Sequence, residues 1–293
     1  MSDSENKGTF GLPRTGIATL ADRVVASMAS LSAAERRAAR ALLARYPTTG
    51  METVALFAER AKVSAPTILR FVAKLGFAGY PEFRRALREE MEVQAENPLT
   101  RPHLGSQPSA LAALAQSLAD AVQGSVAMTN ETDIERVVEF LVDARRQVFL
   151  LGGDYTEPVS RHLEFHLRKL RAGVRVLSAG LLRRADELAE IRRRDVVILF
   201  DIRRYQADTI RTAQVAKDRQ AAIILFTDQW MSEVAQIADI VLRSRVDVHS
   251  PWDSLIGMIA QVEMLALAID ARQWPVAQAH FEAIEAVRAK LIP

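Results

Sequence analysis

Residues 54–76, VALFAERAKVSAPTILRFVAKLG, decide how the front of this chain folds. They read as a helix, a tight turn and a second helix. Ile68, Phe71, Val72 and Leu75 recur at i, i+3, i+4 and i+7, which makes one buried stripe. Phe57, Ala58 and Ala61 face the same core from the first helix, and Val63 fills the turn. Ser64 is expected to cap the second helix with its hydroxyl. Pro66 sits in the first turn, where a missing N–H costs little. Gly76 stands where a left-handed residue stops the helix, with Phe77 closing over it. The turn itself carries Lys62 where glycine is usual, and a left-handed non-glycine residue costs roughly 1–2 kcal/mol.

The opposite face of the second helix carries Thr67, Arg70 and Lys74, with Ser64, Ala65 and Pro66 at its N-terminal tip. Such a helix pair puts its second member into the DNA major groove, tip first. We therefore assign Ser64, Ala65, Pro66 and Thr67 to base edges or phosphates, Arg70 to a guanine or a phosphate, and Lys74 to phosphate. The bland alternative for each is a solvated helix face.

Charge is distributed in the same sense. Residues 31–91 hold eleven Lys/Arg against six Glu, in a chain of 293 residues whose net charge is only +2. A basic front on a mildly acidic remainder fits a nucleic-acid module joined to something else. The chain has no cysteine, which excludes a disulfide framework, a thiolate metal site and a cysteine nucleophile together. No secretory signal pattern opens the sequence, and no run reaches the ~18–20 apolar residues that span a bilayer. A cytoplasmic protein without a membrane partner is the expectation.

The organisation is expected to be an arm at 1–16, a helical domain at 17–95, a linker at 96–109 and a second domain at 110–293. Ser32 and Glu35 have the spacing of a capping box. Three prolines and a glycine fall within residues 96–108, a linker composition. Beyond it, apolar runs at 147–151, 174–177, 196–200, 222–226 and 240–242 alternate with amphipathic stretches at 132–144, 156–171 and 206–218. Nearly continuous apolar strands between helices predict a parallel sheet covered on both faces. Helices are expected at 251–272 and 275–291. The fold class is thus an all-α helix-turn-helix domain followed by a parallel α/β sandwich.

The run Ser64-Ala65-Pro66-Thr67-Ile68-Leu69-Arg70-Phe71, then Lys74-Leu75-Gly76-Phe77-Ala78-Gly79-Tyr80-Pro81-Glu82-Phe83, resembles the DNA-binding domain of RpiR/MurR-type bacterial transcriptional regulators. The family pattern is roughly S-x-x-T-x-x-R-F-x-x-x-L-G-F-x-G-[YF]-x-x-[FL]. The resemblance implies a second half that is a sugar isomerase (SIS) domain, a parallel α/β sandwich that usually binds phosphosugars and helps dimerise the protein. It also implies G-x-G-x-[ST] and S-x-S-G-x-[ST] loops cradling phosphate. Here both loops depart: in the second, Asp201 replaces a serine, and no Ser, Thr or Gly follows through residue 206.

Ligands of open α/β sheets bind beyond the carboxyl ends of the strands. Three loops qualify: one with Gly153, Asp154 and Tyr155, one with Arg203, Arg204, Tyr205 and Gln206, and one opened by Thr227. The stretch Ser250 to Ser254, SPWDS, opens a long helix and is a further candidate for the pocket lining. Arginines clamp anions in forked pairs, so a small anionic effector held by Arg203, Arg204 and Tyr205 is the reading. Structural ion pairs with Asp154, Asp201 or Asp208 are the alternative.

His162 and His166 stand at i, i+4, but Leu163 follows His162, so HExxH is absent. The pair reads as solvated or packed, and no metal is assigned. LLGGDY falls short of GxGxxG, and no cofactor is expected. No pair of carboxylates is placed for acid–base catalysis, so no catalytic residue is assigned. The expectation is a non-enzymatic regulator, a homodimer or homotetramer whose partners are double-stranded DNA and a small-molecule effector. The competing readings are a sugar-phosphate isomerase with a helical accessory domain, and a protein-binding helix-turn-helix.

Overall fold

The computed structural model describes residues 19–101 and 108–292. The expected arm at 1–16 and residues 102–107 of the expected linker lie outside the described residues. The first half is α1 (Leu20–Ser27), α2 (Ala33–Ala44), α3 (Thr48–Met51), α4 (Val54–Ala61), α5 (Ala65–Lys74) and α6 (Tyr80–Ala95). Its helices begin where the sequence offers caps. Ser32 and Glu35 close the expected capping box, with Ser32 N donating to Glu35 Oε2 at 2.7 Å. Thr19 and Asp22 close another on α1.

The α4–α5 pair has the expected interior. Phe57 and Phe71 meet edge to face at 6.3 Å between ring centroids, a geometry that suits the ring quadrupoles. Ile68, Val72, Phe83 and Leu87 complete a core closed to solvent. Lys62 is left-handed, with φ 52° and ψ 49°. Gly76 is left-handed as well, at φ +86°. Gly76 N donates to Ala73 O at 2.9 Å and Phe77 N to Val72 O at 3.3 Å, which is a Schellman stop. One expectation fails locally. Ser64 takes the extended N-cap backbone, but its hydroxyl makes no capping bond; it faces Thr67 Oγ1 at 2.9 Å instead.

The second half is α7 (Pro108–Ala127), α8 (Glu131–Val142), β1 (Val148–Gly152), α9 (Glu157–Leu170), β2 (Val174–Val176), α10 (Leu181–Ala189), β3 (Val196–Asp201), α11 (Ala207–Asp218), β4 (Ala222–Asp228), β5 (Ile240–Ser244) and α12 (Ile256–Leu291). The strands form one parallel sheet in the order β2-β1-β3-β4-β5. Alternation assigns its two faces. Val148, Leu150, Ile198, Phe200, Ile224 and Phe226 pack with α8, α9 and α12, while Phe149, Leu151, Val197, Leu199, Ile223 and Leu225 pack with α10 and α11. The chain order reverses between β1 and β3, and the loops leaving these strands open a crevice there.

Two elements differ from expectation. α10 is not among the expected elements; Leu188 is its one buried apolar side chain. The two expected terminal helices run together as α12, kinked at Gln273 (φ −141°, ψ 31°). Pro275 follows two residues on, and it has no N–H to offer the preceding turn.

Gly152 fixes how closely α9 approaches β1. A Cβ on it would lie 2.6 Å from Glu157 N and Cα, atoms of the backbone that cannot swing away. Gly152→Ala is expected to destabilise the protein by about 1–3 kcal/mol, the usual cost of overpacking. A lower urea midpoint at an unchanged denaturant slope would register it.

Candidate functional site

The tip of α5 is solvent-facing. Ser64, Ala65, Pro66, Leu69, Arg70 and Ala73 are exposed on one side of it. Leu69 is 47% exposed, an apolar side chain standing where a thymine methyl could be met. Sequence reasoning missed Leu69 and Ala73, although the four-residue spacing from Ala65 marks them. Two assigned residues are placed differently from the rest. Thr67 is only 5% exposed, and its hydroxyl is held between Ser64 Oγ and Arg70 Nη2 (3.2 Å). It braces the exposed residues from beneath and does not present itself to a base. Lys74 Nζ lies 2.7 Å from Glu35 Oε2, a carboxylate with a side chain only 4% exposed. The hydrogen bond from Lys74 holds the Glu35 carboxyl down at about 2. This ammonium ties α5 to α2.

The second site lies where the carboxyl ends of β1 and β3 meet the end of α6. A cleft there is walled by Tyr155, Arg203, Arg204 and Asp253, and by Glu96 and Arg101 of the linker. Asp253 bridges two arginines: its Oδ1 accepts from Arg101 Nη2 at 2.9 Å, and its Oδ2 lies 2.7 Å from Arg203 Nε. Arg203 is 5% exposed. Its guanidinium lies 4.3 Å above the Trp230 ring, and Nη1 donates to Val93 O (2.8 Å) and Gln94 O (3.1 Å) at the end of α6. Its Nη2 is buried without a hydrogen-bond partner. Arg204 is exposed.

Beneath the cleft the carboxylates are structural. Asp228 accepts from Arg203 N at 2.6 Å and from Tyr205 Oη at 2.8 Å. Burial raises both the Asp228 carboxyl and the Tyr205 hydroxyl. Asp201 accepts from the Ser232 hydroxyl and from Gln206 N. Burial pushes its carboxyl up to about 6.

These contacts correct several assignments. The partner of Arg203 is Asp253, not Asp154, Asp201 or Asp208. Tyr205 is spent on Asp228 rather than turned to a ligand. Thr227 is fully buried, donating to Asp201 O at 2.7 Å. Ser254 Oγ accepts from Ile256 N at 3.3 Å ahead of α12, and its neighbour Asp253 lines the cleft instead. Gln206 locks the rim: Asp154 N donates to its Oε1 at 3.3 Å, and a Cβ on Gly153 would strike that oxygen at 2.2 Å. Arg101 was missed, because its partner Asp253, within the 250–254 stretch, lies 152 residues away.

A helix-turn-helix with an exposed second helix, ahead of a parallel α/β domain with a strand-end cleft, defines a class: two-domain DNA-binding transcriptional regulators. Residues 19–94 match the helix-turn-helix domain of the rpiR family, and residues 140–268 match the SIS domain. The chain belongs to the RpiR family of regulators. An uncharacterised helix-turn-helix-type transcriptional regulator of Haemophilus influenzae is 26% identical over 245 residues, covering 81% of this chain and 84% of that protein. The sugar isomerase domain of an RpiR transcription factor from Sphaerobacter thermophilus superposes with a TM-score of 0.56 at 25% identity, over 59% of this chain and 96% of that one. The NanR protein of Vibrio vulnificus, solved with ManNAc-6P, shares the fold at a TM-score of 0.55 and 18% identity, over 94% of this chain and 99% of its own. Among the described residues no helix is long and apolar enough to cross a membrane.

A raised carboxyl gives a testable sign. With Asp201 displaced from 3.8 to about 6, the ionised form is disfavoured in the fold, so stability is lost as pH rises through that range. Asp201→Asn is expected to stabilise the protein at pH 7.5 by on the order of 1–3 kcal/mol, with the gain shrinking towards pH 4. Thermal unfolding at the two pH values measures it.

Proposed function

We propose that this regulator reads its operator with Ser64, Ala65, Pro66, Leu69 and Arg70, and that a small anionic molecule in the Arg203 cleft sets its DNA affinity. Residues 17–95 then form the reading unit, 96–109 the linker and 110–293 the effector unit. The observation that carries the reading is the double duty of Arg203. Its side chain lines the cleft and also holds the last carbonyls of α6, the final helix of the reading unit. An anion drawn to this guanidinium competes with the α6 carbonyls and with Asp253, so ligand and helix orientation are coupled. By linkage, DNA must change effector affinity by the same factor.

The effector class is a phosphosugar or a carboxylated sugar. The unpartnered Nη2 of buried Arg203 and the exposed Arg204 support an anion. The sugar phosphate in the NanR complex supports the phosphosugar branch. The acids Asp201 and Asp228 lie below the arginines and limit how deeply a phosphate can sit. Both carboxylates are engaged by structural donors, Arg203 N and Tyr205 on Asp228 and Gln206 N and Ser232 on Asp201, which weighs against an isomerase base. We further propose a homodimer or homotetramer acting in the cytoplasm. Exposed Phe165, Leu267 and Trp274 offer apolar surface for pairing. Two recognition helices would then lie about 34 Å apart, one DNA turn.

Anisotropy with a duplex selected from a random pool tests the reading face. Affinity should fall steeply with salt, and Arg70→Ala should weaken it about tenfold. Binding indifferent to both would overturn the assignment. For the cleft, calorimetry with hexose 6-phosphates, N-acetylmannosamine 6-phosphate and hexuronates should find one anionic ligand whose affinity drops in Arg203→Met and in Arg204→Gln. Tight binding of a neutral sugar, unchanged in both variants, would refute the anionic reading.

A further inference from the structure

The second and third turns of α9 bring two imidazoles against a carboxylate of α12. His162 Nε2 lies 2.6 Å from Glu263 Oε1, and His166 Nε2 lies 3.4 Å from the same oxygen. The ligand atoms of all three lie within 4.8 Å of one another. The two rings meet edge to face, with centroids 4.8 Å apart. The side chains are part-exposed, at 34% for His162, 24% for His166 and 53% for Glu263, so an ion could reach them. His166 Nε2 is itself closed to solvent and makes no aligned hydrogen bond. Neither the reading face nor the effector cleft uses these groups.

We propose that His162, His166 and Glu263 bind a divalent transition-metal ion, with Zn²⁺ the best match. Two histidines four residues apart on a helix offer both imidazoles to one side, and a carboxylate from a second helix completes three ligands. Tetrahedral Zn²⁺ with bonds near 2.0–2.1 Å sets its donor atoms ~3.3 Å apart. The His166–Glu263 separation already has that value, and small turns of the part-exposed His162 ring and the exposed glutamate bring the other pairs, all within 4.8 Å, to it. Two nitrogens and one oxygen suit Zn²⁺ or a similar ion and not Mg²⁺ or Ca²⁺, which take oxygen. Water fills the fourth position. The ion pins α9 onto α12, and α9 springs from the Gly152–Thr156 loop at the cleft, so the metal stiffens one wall of the effector site. In the sequence the pair looked merely packed, because its third ligand lies 101 residues away from His162.

Untagged full-length protein, stripped with chelator and titrated with CoCl₂ and ZnCl₂, tests this. One ion per chain is expected, with visible Co²⁺ bands of a low-coordinate site and a higher Tm in Zn²⁺. Losing even an outer partner of a metal ligand costs about 10–100-fold in affinity. His162→Gln and Glu263→Gln should therefore each weaken binding by more than about tenfold, with unchanged circular dichroism since both side chains are at the surface. The chain has five histidines in all. Metal retained at full affinity by the His162→Gln/Glu263→Gln double variant would place it elsewhere and overturn the site. So would wild-type protein that takes up no metal at micromolar concentration, leaving a plain histidine–glutamate ion pair.

Discussion

The charge of Arg203 has almost no water around it, so its neighbours must supply what water would. Asp253 gives the counter-charge, the last carbonyls of α6 accept from Nη1, and the Trp230 face lies flat beneath the guanidinium. The α6 end is a favourable place for a cation, because helix C-termini carry partial negative charge. Removing one partner from such a buried set leaves a charge uncompensated, at a cost of about 3–5 kcal/mol. The backbone is also held out of the ordinary regions here, with φ 28° at Arg203 and 38° at Arg204. Asp228, receiving the Arg203 N–H, holds that turn in place. One residue thus organises the strand-end loops, the linker wall and the end of the helical domain.

A second contact joins the halves. Asp22 on α1 takes Arg243 at 2.7 Å and Arg245 at 3.3 Å, at and just beyond the end of β5. The helical domain is therefore held by α1 and by α6, which are themselves tied where Leu20 N donates to Glu90 Oε1 at 2.7 Å. Of these two contacts, the one through α6 borders the cleft.

Much of the fold was legible because it rests on short-range pattern. The Ile68–Leu75 stripe, the Ser32/Glu35 box, the left-handed Lys62 and Gly76, and five apolar strands are all visible within windows of a few residues. What was illegible depends on distant partners. Lys74 looked like a phosphate contact because nothing near it in sequence shows Glu35, 39 residues away. Thr67 looked exposed because a threonine flanked by Pro66 and Ile68 fits either side of a helix; packing put it inside. Arg203 was read as an anion binder, while its partners at positions 93, 94 and 253 lie on other elements. Asp201 stands where the family pattern has a serine. Its burial adds a structural reason for its presence, since it anchors Ser232 and Gln206.

The exposed face of α5 consists of side chains that the domain's interior does not need. Ala65, Leu69 and Ala73 bury little, while Phe71 and Val72 behind them, with Lys74 tied to Glu35, hold the rod in position whatever its front displays. Substitutions at these three positions can therefore accumulate without endangering the scaffold, so the surface α5 presents is free to diversify while its architecture stays fixed.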